Sequence, residues 1–158
     1  MKYITLNNGI KMPMVGLGTW KLRGNSGKDS IIEALQIGYR LIDTAQMYGN
    51  EEIVGEAIKE SKINREDIFI TTKLDQSSAG YQEAKKGIER SLKALQTDYI
   101  DLLLIHEPYQ EALAMYEAMK EAYQLKKVRA IGISNFQYFS GNFFQLFIKT
   151  LFYFTFIY

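Results

Sequence analysis

Four residues of this 158-residue chain have the types and settings to do chemistry together: Asp43, Tyr48, Lys73 and His106. Asp43 closes the apolar run RLID, and a carboxylate at the end of a buried strand is costly unless something pairs with it or uses it. Tyr48 follows five residues later, on what should be a loop. A phenol is a poor acid in water, with a reference pKa near ~10. An adjacent ammonium favours the phenolate, and two units of lowering take about 2.7 kcal/mol. Lys73, at the end of IFITTK, can supply that ammonium, and Asp43 would balance and fix the buried Lys73. His106 is the only histidine; it ends IDLLLIH and can donate a hydrogen bond to a carbonyl oxygen. A proton-donating phenol beside an oxygen-orienting imidazole suits carbonyl reduction. Side chains supply no hydride, so that reaction implies a nicotinamide cofactor. Taken singly, each residue has a plainer role. Asp43 could cap a turn, Tyr48 could pack, Lys73 could be a solvated charge, and His106 could be a structural histidine. The functional reading rests on all four meeting on one face.

The elements that must bring them together follow from the apolar pattern. YITL, the turn NNG and IKMPM read as an N-terminal β-hairpin, with Asn8-Gly9 supplying positive φ. Five short apolar runs come next, at 14–18, 40–44, 68–73, 100–106 and 128–134. They are too continuous for half-exposed strands and read as strands buried on both faces. Between them lie helical patterns: 28–37 with Gly38 as its stop, a helix capped by Asn50 with Glu51 and Glu52 in its first turn, 81–95, and a fourth carrying Ala112, Met115, Tyr116, Met119 and Tyr123. Alternation of this kind predicts parallel βαβ units. GLGTW lacks the third glycine of a G-x-G-x-x-G fingerprint. Polar groups recur at the strand ends instead: Thr19, Asp43, Lys73, His106 and Ser134. Functional groups at successive strand ends favour a barrel over a doubly wound sheet. The expected fold is α/β: a partial TIM (β/α)₈ barrel of about five βα units after the hairpin.

Composition narrows the partners. With 19 basic and 18 acidic residues the formal charge is +1, which gives no bulk attraction to nucleic acid or an anionic membrane. No cysteine is present, so there is no disulfide, thiolate nucleophile or Cys-ligated metal; with one histidine, a metal site is not expected. No apolar signal-peptide core is evident in MKYITLNNGIKMP. A cytoplasmic protein is expected, without membrane or nucleic-acid partners and with no specific protein partner evident.

At this point the sequence resembles the aldo-keto reductases. The motifs are GLGTW (16–20), LIDTAQMYGNEEIVGEAI (41–58), FITTKL (69–74), DYIDLLLIHEP (98–108) and AIGISNF (130–136), in family order at family spacing. The resemblance implies a TIM barrel that reduces aldehydes or ketones with NADPH and no metal; NADH is not excluded. It implies a catalytic tetrad of Asp43, Tyr48, Lys73 and His106. It also implies nicotinamide contacts at Thr19, Asp43, Ser134 and Asn135, with Trp20 and His106 beside the substrate. Many relatives have Trp after the strand-four histidine, whereas this chain has Glu107. The family's aromatic that stacks on nicotinamide and its basic segment that grips the adenosine phosphate lie beyond strand five. The expected domain is 1–136, the N-terminal part of such a barrel. The segment 137–158 holds ten of the chain's 21 aromatic residues and a single charge, Lys149, without helix period. Its residues favour AT-rich codons, and it reads as a non-family tail from a frameshift or truncation; the alternative reading is an amphipathic or membrane-seeking tail, although the stretch after Lys149 is too short to span a bilayer. The alternative to an enzyme is an inactive fragment, or a non-enzymatic nicotinamide-binding module of reductase ancestry.

Overall fold

The computed structural model describes residues 1–136; the aromatic segment 137–158 lies outside the described residues. An antiparallel hairpin of β1 (Tyr3–Thr5) and β2 (Lys11–Pro13) comes first. Only Gly9 takes positive φ in its turn, at 85°. Asn8 instead uses its side chain, accepting from the Ile10 N–H and donating to the Arg129 carbonyl.

A five-stranded parallel sheet follows: β3 (Leu17–Gly18), β4 (Leu41–Asp43), β5 (Phe69–Leu74), β6 (Leu102–Ile105) and β7 (Ile131–Ile133). Spatial order equals sequence order throughout. A doubly wound sheet reverses direction at a switch point, whereas a barrel adds each strand beside the last. The sheet is therefore a run of five successive barrel strands. Helices α1 (Gly24–Gln36), α2 (Glu51–Ser61), α3 (Tyr81–Ala94) and α4 (Ala112–Gln124) make the four crossovers.

Strand alternation sorts the side chains into two apolar layers. Ile42, Ile70, Leu103, Ile105 and Ile133 meet the buried faces of the helices, among them Ile31, Val54, Ile88 and Met119. Phe69, Leu102, Leu104 and Ala130 lie with Leu6 and Met12 of the hairpin in a second, smaller cluster. The hairpin thus packs on the sheet's inner face. Gly55 lets α2 come close to the end of α3: a Cβ there would sit 2.6 Å from the Ala94 carbonyl oxygen.

Three expectations need correction. The first strand is two residues, not 14–18; Met14 and Val15 are exposed, because pairing with β4 begins only at Leu17. Ile37 does not belong to a buried face: it is the C-cap of α1 and is 71% exposed. Asn50 stands at the N-cap of α2, but its side chain does not cap. Among the described residues no helix is long and apolar enough to cross a membrane.

Candidate active site

The site lies at the C-terminal ends of the strands, and the register explains why the sequence places it there. Asp43 is the last residue of β4 and pairs with Thr71 of β5. Lys73 is two residues on from Thr71, so both point to the same side, and it pairs with Leu104 of β6. His106 is two residues beyond Leu104, and its N–H extends the ladder by donating to the Leu74 carbonyl. Thr71, Lys73, Leu104 and His106 therefore share the inner face. A 3₁₀ turn, Gln46–Tyr48, brings Tyr48 back over the same end, and Gly49 closes the turn at φ 61°.

The side chains converge. Lys73 is buried, and its Nζ donates to Asp43 Oδ1 at 2.6 Å and to the Thr44 carbonyl at 2.9 Å. The same nitrogen is 5.2 Å from the Tyr48 ring centroid. The Tyr48 and His106 rings are 5.7 Å apart and nearly perpendicular, at 79°. Asp43 stays about one-third exposed, so water shares in its solvation. Burial first, and the Lys73 ammonium second, hold the His106 imidazole below its usual range. It is thus neutral at neutral pH, with one ring nitrogen able to donate.

All four line a cavity of about 670 Å³, together with Thr71, Ser134 and Asn135. That volume is within the usual range for ligand pockets. Asn135 adopts φ 61° and donates from Nδ2 to the His106 carbonyl at 3.0 Å, which ties the loop after β7 to the loop after β6. Its amide oxygen still has capacity to accept. The buried Thr71 hydroxyl and His106 Nδ1 have no protein partner among the described residues. A cavity wall that carries Ser134 and the Asn135 amide, whose oxygen can still accept, fits the carboxamide of a nicotinamide.

Two predicted contacts are placed differently. Thr19 is fully buried and Trp20 is 65% exposed; neither lines the cavity. Their segment is nevertheless anchored to the site. Asn50 Nδ2 donates to the carbonyls of Thr19 and Leu22, while its Oδ1 accepts from the Thr44 hydroxyl. Asn50 therefore braces two loops rather than capping α2. Thr71 is a further residue of the cavity, and the two-residue period of FITTKL puts it on the face of Lys73. Among the described residues there is no group of three or more His, Cys, Asp or Glu suited to a metal.

Comparison with known proteins shows the family. The aldo/keto reductase family model matches residues 14–140. Glyoxal reductase of Bacillus subtilis is 46% identical over 136 residues, 85% of this chain and 49% of the relative. The 9,11-endoperoxide prostaglandin H2 reductase of Trypanosoma cruzi is 43% identical, over 85% of this chain and 48% of its own. Among solved structures, an aldo/keto reductase from Brucella melitensis superposes with a TM-score of 0.83 at 43% identity, covering 86% of this chain and 53% of that one. A Bombyx mori aldo-keto reductase solved in complex with NADP gives 0.78 at 34% identity, covering 84% and 50%. The chain spans about half the length of the curated relatives it matches. With its strand order, its strand-end side chains and a family match over most of its length in agreement, this chain belongs to the aldo/keto reductase family.

Proposed function

We propose that the site reduces an aldehyde or ketone to an alcohol, with Tyr48 as proton donor and NADPH as the preferred reductant. The observation that carries this reading is the Lys73–Asp43 pair lying in the same cavity as Tyr48 and His106. When bound, a reduced nicotinamide supplies the hydride that the side chains lack. Ser134 and Asn135 are the residues that would hold its carboxamide end. The Bombyx mori relative is solved in complex with NADP, which supports NADP as the cofactor.

The protein's part is positioning and proton transfer. Neutral His106 donates to the carbonyl oxygen of the substrate and orients it. The Tyr48 hydroxyl gives its proton to that oxygen as the carbonyl carbon gains the hydride, so the C=O becomes a CH–OH. The phenolate left behind is stabilised by the nearby Lys73 ammonium. Asp43 keeps Lys73 in place and balances its charge, which avoids an unpaired cation in a buried site.

The test is oxidation of NADPH by the chain in the presence of a panel of small aldehydes and ketones. Tyr48→Phe should lower turnover by roughly 10²–10⁴-fold, the usual worth of a positioned general acid, while cofactor binding is retained. Retention of most turnover by Tyr48→Phe would remove the phenol from the mechanism. A wild-type chain that binds NADPH but never turns over would favour the binding-module reading.

A further inference from the structure

We propose that Gln46 is a positioning residue that holds Tyr48 in register with Lys73; the inference deepens the proton-transfer reading and rests on it. Gln46 begins the 3₁₀ turn that ends in Tyr48. Its amide makes four hydrogen bonds, none of them to its own turn. Nε2 donates to the Gly87 carbonyl at 2.9 Å and to Ser91 Oγ at 3.0 Å, both on α3. Oε1 accepts from the Asp75 N–H at 3.2 Å and from Ser78 Oγ at 2.8 Å, both on the segment after β5. A primary amide has two donors and two acceptor positions, so its capacity is fully used.

The slot that receives this amide is shaped for it. Ser78 and Ser91 are fully buried. A Cβ on Gly87 would lie 2.2 Å from Ser78 Oγ and 3.2 Å from Gln46 Nε2, so only glycine leaves the room. From Ser91 the chain of bonds continues: its hydroxyl donates to Glu51 Oε2, and Glu51 Oε1 accepts from Thr72 Oγ1 at 2.6 Å. Thr72 is the neighbour of Lys73 on β5, pointing to the opposite side of the sheet. A polar path on the helix side thus links the turn carrying Tyr48 to the strand carrying Lys73. The Tyr48 hydroxyl has no hydrogen bond to another described residue, so the ring's place depends on how its backbone is held. Gln46 holds one side of that turn and Asn50 the other.

The experiment places 3-fluorotyrosine at position 48 of the full chain and follows its fluorine resonance. Gln46→Ala should move the line toward that of free fluorotyrosine and broaden it, and Ser78→Ala, which removes one of the four bonds, should move it the same way by less. Asp101→Asn, a substitution at the other end of the sheet, should leave the line in place even though it destabilises the fold. Where the chain turns over aldehydes, Gln46→Ala should also lower kcat, by up to about 10²-fold for a misplacement near 1 Å. The proposal fails if Gln46→Ala lowers the melting temperature with the Tyr48 line unmoved, if Asp101→Asn moves the line equally, or if the line moves and kcat does not. Because the fluorine signal needs no turnover, an inactive wild type would sink the reductase reading and still leave the positioning role decided.

Discussion

Asp101→Asn separates stability from chemistry in this fold. Asp101 directly precedes β6, at the end of the sheet away from the cavity, and its side chain is 1% exposed. Oδ2 accepts from Arg65 at 2.7 Å and from the Ile70 N–H at 2.9 Å; Oδ1 accepts from Arg129 at 2.6 Å. One carboxylate thus joins the starts of β5, β6 and β7. In the asparagine variant the amide oxygen keeps Arg65 and Ile70, because both are donors, and the NH₂ is left facing Arg129. Removing one partner of a fully buried ion pair costs about 3–5 kcal/mol. Here Arg129 is 44% exposed and can turn to water, which reduces the loss. The expected cost is about 2–3 kcal/mol, a fall in Tm of about 5–10 °C for a chain of this size. Asp101→Ala also strands the buried Ile70 N–H and should lose about 1–3 kcal/mol more. Thermal and urea denaturation followed by circular dichroism measure both, and NADPH binding below either melting temperature should match wild type. A melting temperature for Asp101→Asn within a degree of wild type, or an alanine variant no worse than the asparagine, would refute the argument.

Two further tests concern the cofactor and the buried acid on the helix side of the sheet. Reduced nicotinamide absorbs where tryptophan emits, so NADPH bound at the cavity should quench the single tryptophan, Trp20, and Asn135→Ala should weaken that quenching several-fold; quenching unchanged in the alanine variant would remove Asn135 from the cofactor site. Glu51 is pushed above the ordinary carboxylate range, first by burial, against the Thr72 and Ser91 hydrogen bonds that lower it. The folded state then holds this proton more tightly than the unfolded chain. Stability from this group is full at acid pH and lost as pH rises from about 4.5 through the raised value. Glu51→Gln should therefore raise the urea midpoint at pH 7 relative to wild type, with the gap closing near pH 4; a gap of constant size across that range would show that ionisation is not the cause.

The sequence by itself determined which strands exist and what stands at their ends. Continuous apolar runs closing on Asp43, Lys73 and His106 placed these residues at strand ends, since a buried strand and the first polar group after it are set within a few neighbours. The helical face Ala84, Ile88, Leu92 and Leu95 was legible for the same reason and is buried as its spacing requires. Tertiary structure decided the rest. Asn50 has the type and place of an N-cap, yet its amide is taken by Thr19 and Leu22 of another loop. Glu51 reads as an acid in the first turn of α2, and the packing of α2 beside α3 buries it against Thr72 and Ser91. Gln46 carries no local signal at all, because its partners lie 29 to 45 residues away. A side-chain amide can satisfy its hydrogen bonds at a local cap or across the fold with similar energy. Which it does depends on the donors and acceptors that packing brings within about 3 Å, and that distance is fixed only when the helices have docked on the sheet.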